Sequence, residues 1–255
     1  MSYILSLDTA SDYCSVAIVD TRQQTSLAEL DIRELRRQAP RQHTQLLLPM
    51  VDELLQQEAV DRHELNAIAF GAGPGSFTGL RISFAVVQGL AYGLQIPVLP
   101  ISTLAAMGSA MAQSNLPDIN AQAEKKSVFL SCLDARMNQV YWGAYSHDGE
   151  KLLALQDDAL DNPDIAAEKM QQLIESQFPK TTVYCCGPGW QYPELSEILN
   201  RAGQKDLDIE PWAQEILRLG FDQWQSGNVQ DIRQVQPVYL RNEVSWEKRQ
   251  RIRQP

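Results

Sequence analysis

Two stretches of the chain carry residue types that could handle an anion. The first is Asp8-Thr9, directly after the apolar run Tyr3-Ile4-Leu5-Ser6-Leu7. A carboxylate beside a hydroxyl at a strand end could hold Mg²⁺ next to a phosphate, and it would serve equally well as a strand-end turn. The second is Phe70-Gly71-Ala72-Gly73-Pro74-Gly75-Ser76-Phe77-Thr78-Gly79-Leu80-Arg81. Glycines at alternate positions tolerate positive φ and close backbone approach. Ser76 or Thr78 then offers an oxygen to cap a helix, and the N–H groups at a helix start form a ready anion site. Asp8, Thr9, Gly73, Gly75 and Ser76 are therefore the candidate anion or nucleotide loop.

The surrounding chemistry is thin. No Gly-Lys-Ser/Thr follows the glycines, so this is no P-loop, and the third glycine is out of register for a dinucleotide fingerprint. The three histidines, His43, His63 and His147, lack His-x-x-x-His or His-Glu-x-x-His spacing. Neither Ser-x-x-Lys nor Gly-x-Ser-x-Gly occurs. Cys14, Cys132, Cys185 and Cys186 show no zinc spacing, and the adjacent pair sits inside an apolar run. No catalytic residue and no metal ligand is assigned.

The elements that would position these residues alternate in type. Residues 3–8, 14–20 and 25–33 read as three strands joined by short turns, an antiparallel meander. From His43 a helix carries Leu47, Met50, Val51, Leu54 and Leu55 as one apolar stripe. Leu46 and Leu48 broaden that face, as a second packing surface would require. A strand at 67–70 enters the glycine turn, and a helix runs on to Leu94. Within that helix Gly79 and Ser83 are four apart, as are Ala85, Gly89 and Gly93. Interior helical glycine costs about 1 kcal/mol relative to alanine. The small residues serve either packing on the chain's own sheet or close approach of a helix from another chain. A strand at 96–101 and a helix at 102–112 follow. Polar residues 114–126 mark a lobe boundary, after which strands at 127–133 and 139–145 restart the pattern. Asp148-Gly149 signals a hairpin, and helices near 164–177, 193–201 and 211–226 flank a strand at 182–186. The expected organisation is a first lobe at 1–113, a second at 126–226, and a C-terminal segment at 227–255 made of a strand and a basic tail.

Composition bounds the function. The chain has 255 residues, 44% of them hydrophobic, with a net charge of −10. An acidic surface argues against unaided nucleic-acid binding. The exception is the end of the chain, where Arg241, Lys248, Arg249, Arg251 and Arg253 outnumber Glu243 and Glu247. That tail reads as a solvated terminus, or as a partner or RNA contact. With no signal peptide, no apolar run long enough for a membrane span and no disulfide framework, a cytoplasmic protein without membrane partners is expected.

Leu7-Asp8-Thr9-Ala10, His43-Thr44-Gln45-Leu46-Leu47-Leu48-Pro49, Gly73–Arg81, Asp134-Ala135-Arg136 and Pro237-Val238-Tyr239-Leu240-Arg241 together resemble the TsaB (YeaZ) family of bacterial tRNA threonylcarbamoyladenosine synthesis. The resemblance implies a two-lobed α/β actin-like ATPase fold of the hexokinase/Hsp70 superfamily (ASKHA), each lobe a mixed sheet with helices. It implies a non-catalytic partner of TsaD, the paralogue that transfers threonylcarbamoyl to adenosine beside the anticodon. Pairing with TsaD would use first-lobe helices, the ATPase TsaE would join the complex, and a similar face would form a homodimer when the chain is alone. Transfer RNA would be met only through the complex. On this reading Leu47, Met50, Val51, Leu54, Arg81, Ala85, Gly89 and Tyr92 form the partner interface. ATP/ADP and a metal belong to TsaD and TsaE, and no cofactor is expected in this chain. Where TsaD carries its His-x-x-x-His motif, this chain has Thr103 and Met107, neither able to replace imidazole on a borderline metal. Where TsaD has a second-lobe phosphate loop, it has Asp134-Ala135-Arg136, whose carboxylate would repel a nucleotide. The competing readings are an active actin-like phosphotransferase using Asp8 and the glycine turn, and a metallopeptidase.

Overall fold

The computed structural model describes residues 3–22, 30–117, 127–148, 151–178 and 181–241. In the first half, β1 (Tyr3–Asp8), β2 (Tyr13–Asp20) and β3 (Arg33–Gln38) form the antiparallel meander. Then come α1 (His43–Gln57), β4 (Leu65–Gly73), α2 (Phe77–Leu94), β5 (Val98–Ser102) and α3 (Thr103–Ser114). Strands β4 and β5 join in parallel, giving the order β3-β2-β1-β4-β5. The third strand begins where it was expected to end, and residues 23–29 lie outside the described residues.

The second half repeats this plan. Strands β6 (Ser127–Arg136), β7 (Gln139–His147) and β8 (Leu152–Ala154) are antiparallel. After β9 (Ala159–Asp161) and α4 (Pro163–Gln177), β10 (Thr182–Cys186) pairs in parallel with β6. Next come α5 (Ser196–Arg201), β11 (Gln204–Asp206) and α6 (Ala213–Gln225). The path β8-β7-β6-β10-β11 matches the first sheet strand for strand and sense for sense. Two copies of one mixed sheet with helices are the two-lobed actin-like fold.

Each sheet is apolar on both faces, and strand alternation sorts the residues. Leu5, Leu7, Ile68 and Phe70 turn towards α1 and α2. Ile4, Ala17, Ala69 and Leu99 turn to the opposite face, which α6 covers with Ile216, Leu217 and Phe221. Helix α3 leaves the first sheet and packs on the second, where Leu104, Met107 and Met111 meet Phe129, Tyr145 and Tyr184. The last helix of each half therefore covers the sheet of the other half. The expected boundaries placed α3 with the first lobe and α6 with the second, whereas each packs on the sheet of the other half. Helix α6 is anchored by distant hydroxyls: Ser6 Oγ donates to the Ala213 carbonyl at 2.7 Å, and the Ala213 N–H donates to Ser15 Oγ at 2.9 Å.

The C-terminal segment is also corrected. Gln230 bridges Val98 on edge strand β5. Residues 235–239 then run without a strand ladder, joined to β4 where the Val238 N–H donates to the Ala72 carbonyl at 2.7 Å. The expected basic tail, residues 242–255, lies outside the described residues. Among the described residues no helix is long and apolar enough to cross a membrane.

Candidate functional site

The ends of β1 and β4 bring the two chemically suggestive stretches together. Asp8 ends β1 at 1% exposure, with Oδ1 accepting the Ala10 N–H at 2.8 Å and Oδ2 buried without a partner. Burial pushes its carboxyl up to about 8, against the pull of the Ala10 N–H and with help from the negative charge of Glu210. The position of Asp8 depends on Gly71, where a Cβ would lie 2.0 Å from Oδ2.

The glycine turn spends its polar groups internally. The Ser76 N–H donates to the Ala10 carbonyl at 2.8 Å, and Ser76 Oγ caps α2 by accepting the Gly79 N–H at 3.3 Å. Thr9 Oγ1 returns to the Gly79 carbonyl at 2.8 Å. At Gly79 a Cβ would lie 1.8 Å from the Thr9 carbonyl oxygen, and at Gly75 one would lie 2.8 Å from Ala10. These glycines let the start of α2 lie directly on the β1–β2 turn. His43 supports the same junction, its Nε2 donating to the Ser11 carbonyl at 2.8 Å. Asp8, Thr9, Gly75 and Ser76 are thus brought to one seam with the Ser76 and Gly79 amides already engaged, while Gly73 faces Val238 and Leu80.

Beyond the seam lies an inter-lobe cleft of about 540 Å³, reached by Ser76, Asp12, Asp134, Arg136, Glu210 and Arg241. Asp134 is engaged by its own turn and by Tyr192: it accepts from the Arg136 N–H at 2.8 Å and the Tyr192 OH at 2.9 Å, and pairs with the Arg136 guanidinium at 3.1 Å. Arg136, Met137 and Asn138 all have positive φ, 61°, 55° and 56°. Three successive left-handed non-glycine residues cost roughly 1–2 kcal/mol each. Glu210 is pushed up to about 7, chiefly by burial, with Asp12 and Asp208 adding to the Ser11-opposed shift.

The two positions aligned with the TsaD metal motif hold no imidazole. Thr103 is buried and its hydroxyl donates to the Pro74 carbonyl. Met107 is buried with its methyl under Gly187, filling the space a side chain there would need. Among the described residues no group of three potential ligands gathers. The four cysteines are free and buried, and burial raises each thiol, Cys14 to about 11 and Cys186 to about 12. Thiols so raised are poor nucleophiles.

The helix faces divide the expected interface residues. Leu47, Met50, Val51 and Leu54 are buried in the chain's own core. They are the stripe that α1 lays on its sheet, so they cannot present side chains to a partner. Leu48, off that stripe, is 45% exposed. Arg81, Ala85, Gly89 and Tyr92 do lie together on the open side of α2, with Tyr92 69% exposed. The two small-residue series separate in the same way: Gly79 and Ser83 face inward, whereas among the described residues a Cβ at Gly89 or Gly93 meets nothing within 4 Å. A shallow groove of about 390 Å³ between Thr44 of α1 and Phe77, Arg81 and Ala85 of α2 continues this face. Phe77 is 53% exposed, with the Arg81 guanidinium 3.8 Å above its ring and Tyr239 at 5.1 Å. Phe77 and Tyr239 were not among the expected interface residues. The cue for Phe77 is an aromatic directly after a helix cap, where no core stripe has begun.

Residues 36–199 match the family model of TsaD, described as tRNA N6-adenosine threonylcarbamoyltransferase. Together with the duplicated sheets, that match defines the class: an actin-like two-lobed protein of the TsaD kind. Among curated relatives, the tRNA threonylcarbamoyladenosine biosynthesis protein TsaB of Escherichia coli (strain K12) is 35% identical over 250 residues, covering 96% of this chain and 97% of its own. TsaB of Haemophilus influenzae is 34% identical, covering 96% of each chain. YeaZ from Pseudomonas aeruginosa superposes with a TM-score of 0.71 at 32% identity, covering 93% of this chain and 100% of that one. The chain belongs to the TsaB (YeaZ) family.

Proposed function

We propose that this chain serves tRNA threonylcarbamoyladenosine synthesis as a non-catalytic subunit, presenting the outer face of α2 to TsaD. The carrying observation is the open series Ala85, Gly89 and Gly93. Interior glycine costs a helix about 1 kcal/mol, and among the described residues a Cβ at Gly89 or Gly93 would meet nothing within 4 Å beyond their own helix. Small residues on an open helix face let a second helix approach to the short end of the usual 8–10 Å spacing. Leu48, Phe77 and Tyr92 supply exposed apolar area around them, and arginine and tyrosine are enriched at interface hot spots. The same face would pair two copies when the chain is alone.

The engaged amides of the glycine turn and the absence of imidazole at Thr103 and Met107 support leaving the transfer chemistry, nucleotide and metal to TsaD and TsaE. Transfer RNA would then be met through the complex. The test is to mix the chain with TsaD and follow both by size exclusion and product formation. Gly89→Arg should keep the fold by circular dichroism and lose co-elution with TsaD. Undiminished co-elution of that folded variant would overturn the assignment of the face. A tight Asp8-dependent calorimetric signal with ATP and Mg²⁺ from the chain alone would favour a phosphotransferase instead.

A further inference from the structure

The segment Pro237–Arg241 touches β4, α2 and the β6–β7 hairpin. The Val238 N–H is bonded to the Ala72 carbonyl at the end of β4. Tyr239 packs at a tilt against Phe77 at the start of α2, and its hydroxyl accepts from Arg81 Nε at 3.4 Å. Arg241 then crosses to the second lobe, donating to Gln139 Oε1 at 2.5 Å and to the Arg136 carbonyl at 3.4 Å, with Met137 Sδ at 3.5 Å. Gly73 has φ +113°, and a Cβ there would sit 2.7 Å from the Val238 carbonyl oxygen. The glycine turn is therefore shaped for this segment as well as for α2. On the far side, the strained left-handed run Arg136-Met137-Asn138 turns the Arg136 carbonyl outward to meet Arg241.

We propose that residues 237–241 are a cross-lobe latch that couples the outer face of α2 to the β6–β7 turn. Arg241 lines the inter-lobe cleft, and the segment's contacts tie first-lobe backbone, an exposed aromatic of α2 and the second-lobe turn into one unit. Movement of the second lobe pulls on Tyr239, and through it on Phe77 and Arg81. Conversely, a partner that clamps Phe77 and Arg81 fixes the lobe angle. The coupling half rests on the α2 face being the partner surface; the latch half does not.

The test uses the full chain with spin labels at Gln56→Cys on α1 and Glu168→Cys on α4, both exposed, and reads the inter-lobe distance by pulsed electron paramagnetic resonance. Affinity for TsaD is measured in parallel by calorimetry. Two variants act away from the α2 face, Arg241→Ala and Gln139→Ala, the second leaving every charge in place. Each is expected to broaden and lengthen the distance distribution and to weaken TsaD binding about three- to tenfold, the worth of a lost hydrogen bond. Unchanged distances in both variants overturn the latch. Altered distances with wild-type affinity overturn the coupling. Failure of the unsubstituted chain to bind TsaD overturns the proposed function, and the distances still decide the latch.

Discussion

Asp8 shows how one side chain can keep its place and lose its charge. Its carboxyl is raised from an ordinary 3.8 to about 8, mainly by burial. The sign for stability follows. Below the ordinary value both folded and unfolded chains are protonated and nothing is lost. As pH climbs, the unfolded chain ionises first, so stability drains away until the folded value is passed. Glu210, raised to about 7, adds in the same direction. Urea midpoints should therefore fall between about pH 5.5 and pH 7.5, and Asp8→Asn should flatten that slope; equal slopes would contradict the burial account. Glycine offers a second case at this scale. Gly79→Ala should cost ~1–3 kcal/mol by overpacking against the Thr9 carbonyl, read as a lower unfolding midpoint. The alternate glycines were legible in the sequence as a place of close approach. What approaches them was not, because Ala10 and Val238 come from the two ends of the chain, and no local pattern links them.

Among the elements, α1 and α2 separate core from surface. Apolar spacing identified α1, and it placed the α1 stripe on the wrong side of the interface question. Periodicity names an apolar face without naming what covers it; here the first sheet covers Leu47, Met50, Val51 and Leu54. The exposed Leu48 was visible as excess breadth and is the better probe. Leu47→Ala should lower stability by ~2–5 kcal/mol. Leu48→Glu should stay within ~0.5 kcal/mol of the parent in denaturation and still weaken TsaD capture. On α2, Gly89→Ala should stabilise the isolated chain by about 1 kcal/mol through helix propensity. A thermal scan showing loss instead would mean that Gly89 is needed by the monomer. Helix α6 was foreseen at nearly its observed span, but its anchors, Ser6 and Ser15, lie some two hundred positions away, beyond any window that reads periodicity.

At the scale of the whole molecule, each sheet borrows a helix from the other half. A fragment of residues 1–113 would leave Ile4, Ala17, Ala69 and Leu99 uncovered, since α6 is missing. It should aggregate or remain unfolded in gel filtration, and the intact chain should melt in one transition; two resolved transitions would mean that the lobes are independent. The duplicated sheet order was visible in outline as strands that restart after residue 126, while the exchange of helices was hidden, because a helix carries no mark of which sheet it will meet. The exchange also has a history in time. On a ribosome the first sheet emerges with one oily face bare, and the helix that must shield it is not made until residues 213–225. At roughly 5–20 residues per second of synthesis, that wait is on the order of ten seconds, during which the nascent chain is exposed to misassembly and to whatever holdase meets it. Completion of the N-terminal half is thus timed by the C-terminal one, so a message truncated before α6 yields no folded half-protein to compete for partners.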